Sequence, residues 1–411
     1  MWKVLFPLCL VIFVDVMGLC IVFPLFAPLF YDPTQGFLSA HTSLETRHLL
    51  YGSMLSVWPL YMLIASPLIG DLSDKIGRKK VLLLCLFGEG IAYLLGALSI
   101  TTGSLIVFFL SRALAGIFSG SQPIAQAAIA DLATADNKTR YMSYIVLAAT
   151  LGVVLGPLIG GFMSDTAWVS WFNFATPFQV AALISLLNAV LLILTFKETH
   201  VVTKTVKIKL LKSISLLQDA FKQPAIRQLS VAFFLLQLSW SLYFQSLAYF
   251  LVANFQATTL SIGLFYGVIG LASALTLTYF MRLLLKTGQN DRHIFSLGLV
   301  CSVSGAVLAS LFIHYLFIQY LAVALSAIGV SFAYTTGISL FSGKASAAHQ
   351  GRMMGIAAAL CGGAWTVTAG LTGVLLMGGA ILPFIVAAIC AALSFLFIRR
   401  LQDSASPSIQ N

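Results

Sequence analysis

The sequence predicts an all-α membrane protein of twelve transmembrane helices arranged as two six-helix repeats. Three observations carry this. Charged residues make up 9% of the 411 and hydrophobic ones 59%, with a mean hydropathy of +0.97. A soluble domain carries about 25% charged residues, so this chain cannot solvate its own surface in water and needs lipid around it. Apolar runs recur at a length suited to the ~20 residues that a helix needs to cross the hydrocarbon core. Finally, a turn containing Lys75 and Gly77 recurs as Lys286 and Gly288, about half a chain later.

The apolar runs fall at 4–30, 48–69, 81–100, 104–127, 140–163, 173–196, 227–253, 259–281, 292–313, 316–341, 352–376 and 380–398. They read as helices, because open sheet edges find no hydrogen-bond partners in lipid. The first run follows Lys3 and contains Asp15, with no small-residue cleavage site after it. It is expected to be a retained span rather than a signal peptide. The division is residues 1–196 as the N-terminal bundle, 197–226 as a linker, and 227–411 as the C-terminal bundle. Within the linker region Leu210, Leu211, Ile214, Leu217 and Phe221 recur at helical spacing. Either a short helix lying on the inner leaflet or a flexible connection fits that pattern.

The net charge of +10 does not indicate nucleic-acid binding, since the charges sit in short loops between apolar runs. With the N-terminus in the cytoplasm, every basic residue except Arg47 and Arg112 falls on the inner side or in the linker. That bias sets the orientation, with both termini cytoplasmic in a plasma membrane, which is the inner membrane if the cell is Gram-negative. The six cysteines all lie in apolar runs, where they serve as small hydrophobes. No metal spacing, disulfide framework, nucleotide loop or Ser-His-Asp set is visible. The chain is therefore not expected to be an enzyme or to carry a cofactor. Its expected partners are lipid, protons and a small-molecule substrate, with no nucleic acid, and it is expected to be a monomer.

Four groups of residues stand out. Gly70, Asp74, Gly77, Arg78 and Lys79 belong to the polar stretch G-D-L-S-D-K-I-G-R-K-K, expected as a tight turn between spans 2 and 3. Glycines permit tight backbone geometry there. Asp74 can favour the positive start of span 3, and Arg78 can pair with Asp131 on a neighbouring helix end. In span 5, Gly152, Gly156 and Gly160 lie four apart on one face, beside Pro157 and Gly161. Small residues let helix backbones approach closely, and span 8, with Gly263, Gly267 and Gly270, is the expected partner across the two halves. Asp15, Glu89 and Arg112 lie deep within spans 1, 3 and 4, roughly 13–20 Å from the inner end at the helical rise. Each such charge costs about 2.5–3.5 kcal/mol on insertion scales, which marks them as a buried ion pair or as proton-coupling residues. The C-terminal half has no charge at comparable depth. For substrate contacts, midspan aromatics and amides are candidates: Gln122, Gln126, Gln237, Trp240, Tyr243, Phe244, Tyr334 and Trp365.

These motifs resemble those of the major facilitator superfamily, and within it the drug:proton antiporters of the tetracycline-efflux kind. Gly70, Leu72, Asp74, Gly77, Arg78 and Lys79 match the G-x-L-x-D-x-x-G-R-K turn. Gly152, Gly156, Pro157, Gly160 and Gly161 match the antiporter motif. Asp15, Gly18 and Pro24 are similar to the first-span signature, and Arg112 with Gly116 to the fourth-span motif. Lys197-Glu198-Thr199 resembles the usual close of span 6. The resemblance implies the major facilitator fold and an alternating-access carrier. It implies a cytoplasmic latch of Asp74, Arg78 and Asp131, and proton-driven efflux of a small organic or drug-like molecule. Proton-coupled uptake of a nutrient or metallophore, and a non-transporting sensor or scaffold, are the alternatives.

Overall fold

The computed structural model describes residues 2–132, 138–198, 212–344 and 350–400. Within them, twelve helices are long and apolar enough to cross a membrane, and no strand occurs. Spans 1 to 6 are Leu5–Tyr31, Leu44–Ile76, Arg78–Thr101, Leu105–Ile129, Tyr144–Met163 and Thr176–Thr195. Spans 7 to 12 are Pro224–Phe255, Thr259–Lys286, Asp291–Leu311, Leu316–Gly343, Gly351–Met377 and Leu382–Arg399. A separate short helix, Lys212–Lys222, precedes span 7.

Spans 1, 4 and 8 are irregular. Span 1 breaks after Cys20 and restarts at Phe23, with Pro24 in the first turn of the new helix. Proline has no N–H to give, and its ring crowds the carbonyl four residues back. Span 4 breaks at Ser119 and Gly120. Span 8 carries a π-helical turn over Thr276–Phe280. The first two breaks lie at the depth of the buried charges, just beyond Asp15 and just before Ser121.

Span 1 packs on spans 5 and 6, span 3 on spans 4 and 6, and span 2 on span 4. Span 7 packs on spans 11 and 12, and span 9 on spans 10 and 12. Contacts across the two sets of six run mainly through spans 2 and 11, spans 5 and 8, and the second half of span 1 against spans 7 and 8. One end of the molecule, the basic face, carries Lys75 to Lys80 and the Lys286–Gly288 turn. The other is the distal face.

The 70–80 stretch is not a broad turn. Span 2 stays helical through Ile76 and span 3 begins at Arg78, so the reversal falls on Gly77 alone. Gly77 has φ +102°, which a side chain rarely adopts, and Gly288 at the corresponding place has φ +72°. Gly70 needs no special geometry, since a Cβ there would meet nothing within 4 Å. Polar residues of this stretch continue the helix instead of ending it.

On the distal face the halves meet backbone to backbone. A Cβ on Gly52 of span 2 would lie 2.6 Å from the Gly373 nitrogen of span 11. The Tyr31 hydroxyl lies 2.7 Å from His48 Nδ1, both rings pack on Tyr249, and the Tyr51 hydroxyl donates to the Gln245 carbonyl at 2.8 Å. The 31–47 loop is pinned by buried Arg47, which donates to the carbonyls of Phe30 and Ser39, each at 2.7 Å.

Toward the basic face the partner of span 11 changes. Gly370 faces Ser56 and Gly362 faces Leu63, both on span 2, but Gly363 and Gly355 face Leu217 and Leu216 of the 212–222 helix. That helix packs against protein on one face. Ala220 is fully buried, the Ser213 hydroxyl donates to the Leu63 carbonyl at 2.6 Å, and Asp219 pairs with Arg352 at 2.8 Å. Its Leu216 and Leu217 pack on span 11 while Ser213 ties it to span 2. Leu210 and Leu211 lie outside the described residues.

Candidate functional site

The Gly77 reversal is held by a residue that the sequence marks only as the close of span 6. The Glu198 carboxylate accepts from the backbone N–H of Arg78 at 3.1 Å and of Lys79 at 3.0 Å, which caps the first turn of span 3. A carboxylate is favoured at that end of a helix. A Cβ at Gly77 would sit 2.5 Å from Glu198 Oε2 and displace that carboxylate, and the φ itself calls for glycine. Lys79 Nζ adds a bond to the Ile193 carbonyl at 2.9 Å. These ties join spans 3 and 6 of one half. The side chain of Asp131, the expected partner of Arg78, lies outside the described residues, as does Thr199. Glu198→Ala is expected to cost about 1 kcal/mol of stability, read as a lower thermal midpoint, with Glu198→Asp recovering part of it.

The span 5 glycines divide between two partners. Gly152, Gly156 and Gly160 face Met17, Cys20 and Ile21 of span 1, and a Cβ at Gly160 would collide with the Ile21 carbonyl. That stripe therefore packs within one half, not across to span 8 as its spacing suggested. The face one residue further round does cross: Pro157 and Gly161 meet Gly263 and Thr259, while Leu158 and Val154 meet Gly267 and Gly270. Consecutive residues turn about 100° round a helix, so one glycine-rich segment serves two neighbours.

The buried charges form two clusters. Asp15 accepts from the Ser121 hydroxyl across the break in span 4. Glu89, 2% exposed, lies within hydrogen-bond reach of the Asp15 carboxyl, and its Oε2 has no partner. Arg112 stands apart from this acid pair, 3% exposed, with its guanidinium carbon 5.1, 5.6 and 5.7 Å from the ring centres of Phe178, Tyr93 and Phe108. Tyr93 connects the two clusters. It lies one turn beyond Glu89 on span 3, its ring flanks Arg112, and its hydroxyl packs on Gly18, one turn beyond Asp15 on span 1. A Cβ at Gly18 would lie 1.9 Å from that hydroxyl oxygen, so glycine at 18 makes room for the phenol.

Arg112 also lines a partly open cavity between the two halves. Its walls are Leu19, Val22, Phe23, Phe26, Met54, Leu55, Trp58 and Pro59 from one half, and Gln245 and Trp365 from the other. Of the residues predicted to touch substrate, Trp365 is on this wall. Phe244 lies just behind it, packed on Phe23 and Trp365. Tyr243 points into the C-terminal half, toward Phe384, and borders a smaller cavity there with Trp240, Ser302 and Ser326. Gln237 donates to Cys361 Sγ at 2.7 Å. Tyr334 packs on Phe233, and Gln126 is partly buried on span 4. The side chain of Gln122 lies outside the described residues. Sequence reasoning missed Phe23, Phe26, Met54 and Trp58, because long apolar spans do not mark which side meets a cavity. Among the described residues no cluster of His, Cys, Asp or Glu is arranged to hold a metal.

Both the fold and the motifs have known counterparts. The family model of the Major Facilitator Superfamily matches residues 8–290. The class H tetracycline resistance protein of Pasteurella multocida is 31% identical over 198 residues, 48% of this chain and 45% of that one. The class B protein of Escherichia coli is 33% identical over 149 residues, 36% of this chain and 35% of that one. The chain thus matches half or less of the length of these relatives. Among solved structures, the human organic anion transporter MFSD10 superposes with a TM-score of 0.72 at 21% identity, covering 96% of this chain and 99% of that one. A POT family transporter in complex with 5-aminolevulinic acid gives 0.76 at 17%, covering 96% and 95%. These two likenesses are of fold. With twelve spans around a central cavity and a family match over most of its length, the chain belongs to the Major Facilitator Superfamily and is a multi-pass membrane protein.

Proposed function

We propose that this protein is a proton-driven exporter that moves a small organic molecule out of the cytoplasm by alternating access. The observation that carries the reading is the Asp15–Glu89 contact beside a cavity shared by both halves. Two carboxyls this close in a poorly solvated site cannot both be charged without strong repulsion, so the pair holds one proton readily and releases it when the surroundings change. Tyr93 and Arg112 extend from that pair to the cavity wall, so the charge state of the acids is felt where a solute would sit. The similarity to tetracycline resistance proteins favours export over uptake.

In this reading the basic face is cytoplasmic. The Gly52–Gly373 and Tyr31–His48–Tyr249 contacts then close the side away from the cytoplasm. Protons load from the distal side in the alternate form and leave from this one, while solute travels the other way. The test is flux in proteoliposomes with an imposed pH gradient. Solute movement against the proton flow supports export. Movement with the proton flow indicates uptake, and no gradient-driven movement of any compound indicates a scaffold.

A further inference from the structure

We propose that Arg112 is the anchor for a negatively charged group on the transported solute, so that the substrates are organic monoanions carrying an aromatic or similarly flat apolar body. The proposal rests on the carrier reading above and deepens it.

Arg112 has an unusual environment for a buried cation. Three aromatic faces surround it, and ring faces attract a cation without accepting conventional hydrogen bonds from its edge. A guanidinium presents five N–H donors in a rigid fork. Here Nε donates to the Ser111 hydroxyl at 3.2 Å, while Nη2 has no partner. Among the described residues no carboxylate pairs with Arg112. The deep acids nearby are engaged with each other and with Ser121, on the far side of Tyr93. A buried charge lacking its counterion is costly, and the side chain lines the cavity between the halves. An incoming anion supplies both the missing charge and the missing acceptor.

The rest of the wall narrows the class. Phe23, Phe26, Trp58 and Trp365 offer aromatic surface, and Gln245, 2% exposed with an unpartnered Oε1, is the other polar group on that wall. One cation balances one negative charge, so a carboxylate or sulfonate fits, whereas a dianion would bring an unmatched charge into an apolar site. The Gln245 oxygen can accept from a hydroxyl or amine on the solute body. A cationic drug would face Arg112 across the cavity and be repelled.

The experiment measures binding to the purified full-length protein of 1-naphthoate and of its neutral amide, 1-naphthamide, by tryptophan fluorescence or calorimetry. The pair shares its ring and size and differs in charge. The carboxylate is expected to bind roughly tenfold to hundredfold more tightly, the range of a hydrogen bond to a charged group. Arg112→Gln should remove the preference, leaving the two probes about equal, and Arg112→Lys should keep part of it. If the Gln variant does not fold, the Lys variant carries the test, with a reduced but remaining preference for the carboxylate expected. Equal binding of the two probes to the unaltered protein, failure of both to bind at millimolar concentration, or a preference undiminished in the Arg112 variants overturns the proposal. Charge-selective binding without gradient-driven flux would leave the anion site standing and remove the exporter reading instead.

Discussion

Replacing Asp15 by Asn is expected to abolish proton-driven transport while leaving solute binding and solute–solute exchange intact. Asparagine keeps the size of the side chain and can still accept from the Ser121 hydroxyl, so the join between the broken helices of spans 1 and 4 survives. What it loses is the capacity to bind and release a proton. Glu89 is then a lone acid, and the two-carboxyl pair between which a proton can be shared no longer exists. A pH gradient therefore ceases to bias the two orientations, whereas a gradient of solute still can. The measurement is paired: gradient-driven uptake into proteoliposomes, and counterflow of labelled solute at equal pH on both sides. Loss of the first with retention of the second is the expected pattern. Loss of both means that Asp15 holds the helices in place, and retention of both moves the coupling site elsewhere. Glu89→Gln should be less severe if Asp15, which is also tied to span 4, is the member that reports to the cavity.

Much of this was legible in the sequence, and the parts that were not share a cause. Length and polarity of the apolar runs mark the twelve spans because bilayer thickness acts on each run independently. The deep charges stand out because lipid tolerates so few of them. Which face of a span meets which neighbour depends on all the other spans, and that is not readable from one chain. Gly152, Gly156 and Gly160 announce a close approach correctly, but the partner is span 1, and the crossing to span 8 uses Pro157 and Gly161. The depth of Arg112 suggests that it acts on the acids directly. Instead Tyr93, an ordinary aromatic in an apolar run, stands between them. Glu198 looks like the end of a helix, yet it secures the start of another, because spans 3 and 6 are neighbours only in three dimensions. Gly18 is the exception that could have been found: a glycine inside a span, one turn past a buried acid, marks a close contact.

Introducing valine at Gly52 is expected to hold the distal face open and stop transport. The Cβ would meet Gly373 N at 2.6 Å, Gly373 Cα at 2.8 Å and the Ala369 carbonyl at 3.1 Å. All three are backbone atoms of span 11, so no side chain can rotate out of the way. Overpacking of this kind costs about 1–3 kcal/mol, and here the strain is relieved by parting spans 2 and 11 at that end. A shift of that size changes the ratio of the two orientations by roughly tenfold to hundredfold. At the other end of the same two spans, the 212–222 helix packs against both. Its Ser213–Leu63 bond and its leucines against Gly355 and Gly363 must be given up before the basic face can close. The contact at Gly52–Gly373 and the inserted helix thus both favour the form described here. The readout uses Tyr249→Cys in a background lacking the six native cysteines, labelled by a membrane-impermeant thiol reagent. Labelling at position 249 should be slow while Gly52 is present and rise sharply with Gly52→Val. Transport at the normal rate in the valine variant, with position 249 still protected, would show that spans 2 and 11 do not separate at this point during the cycle.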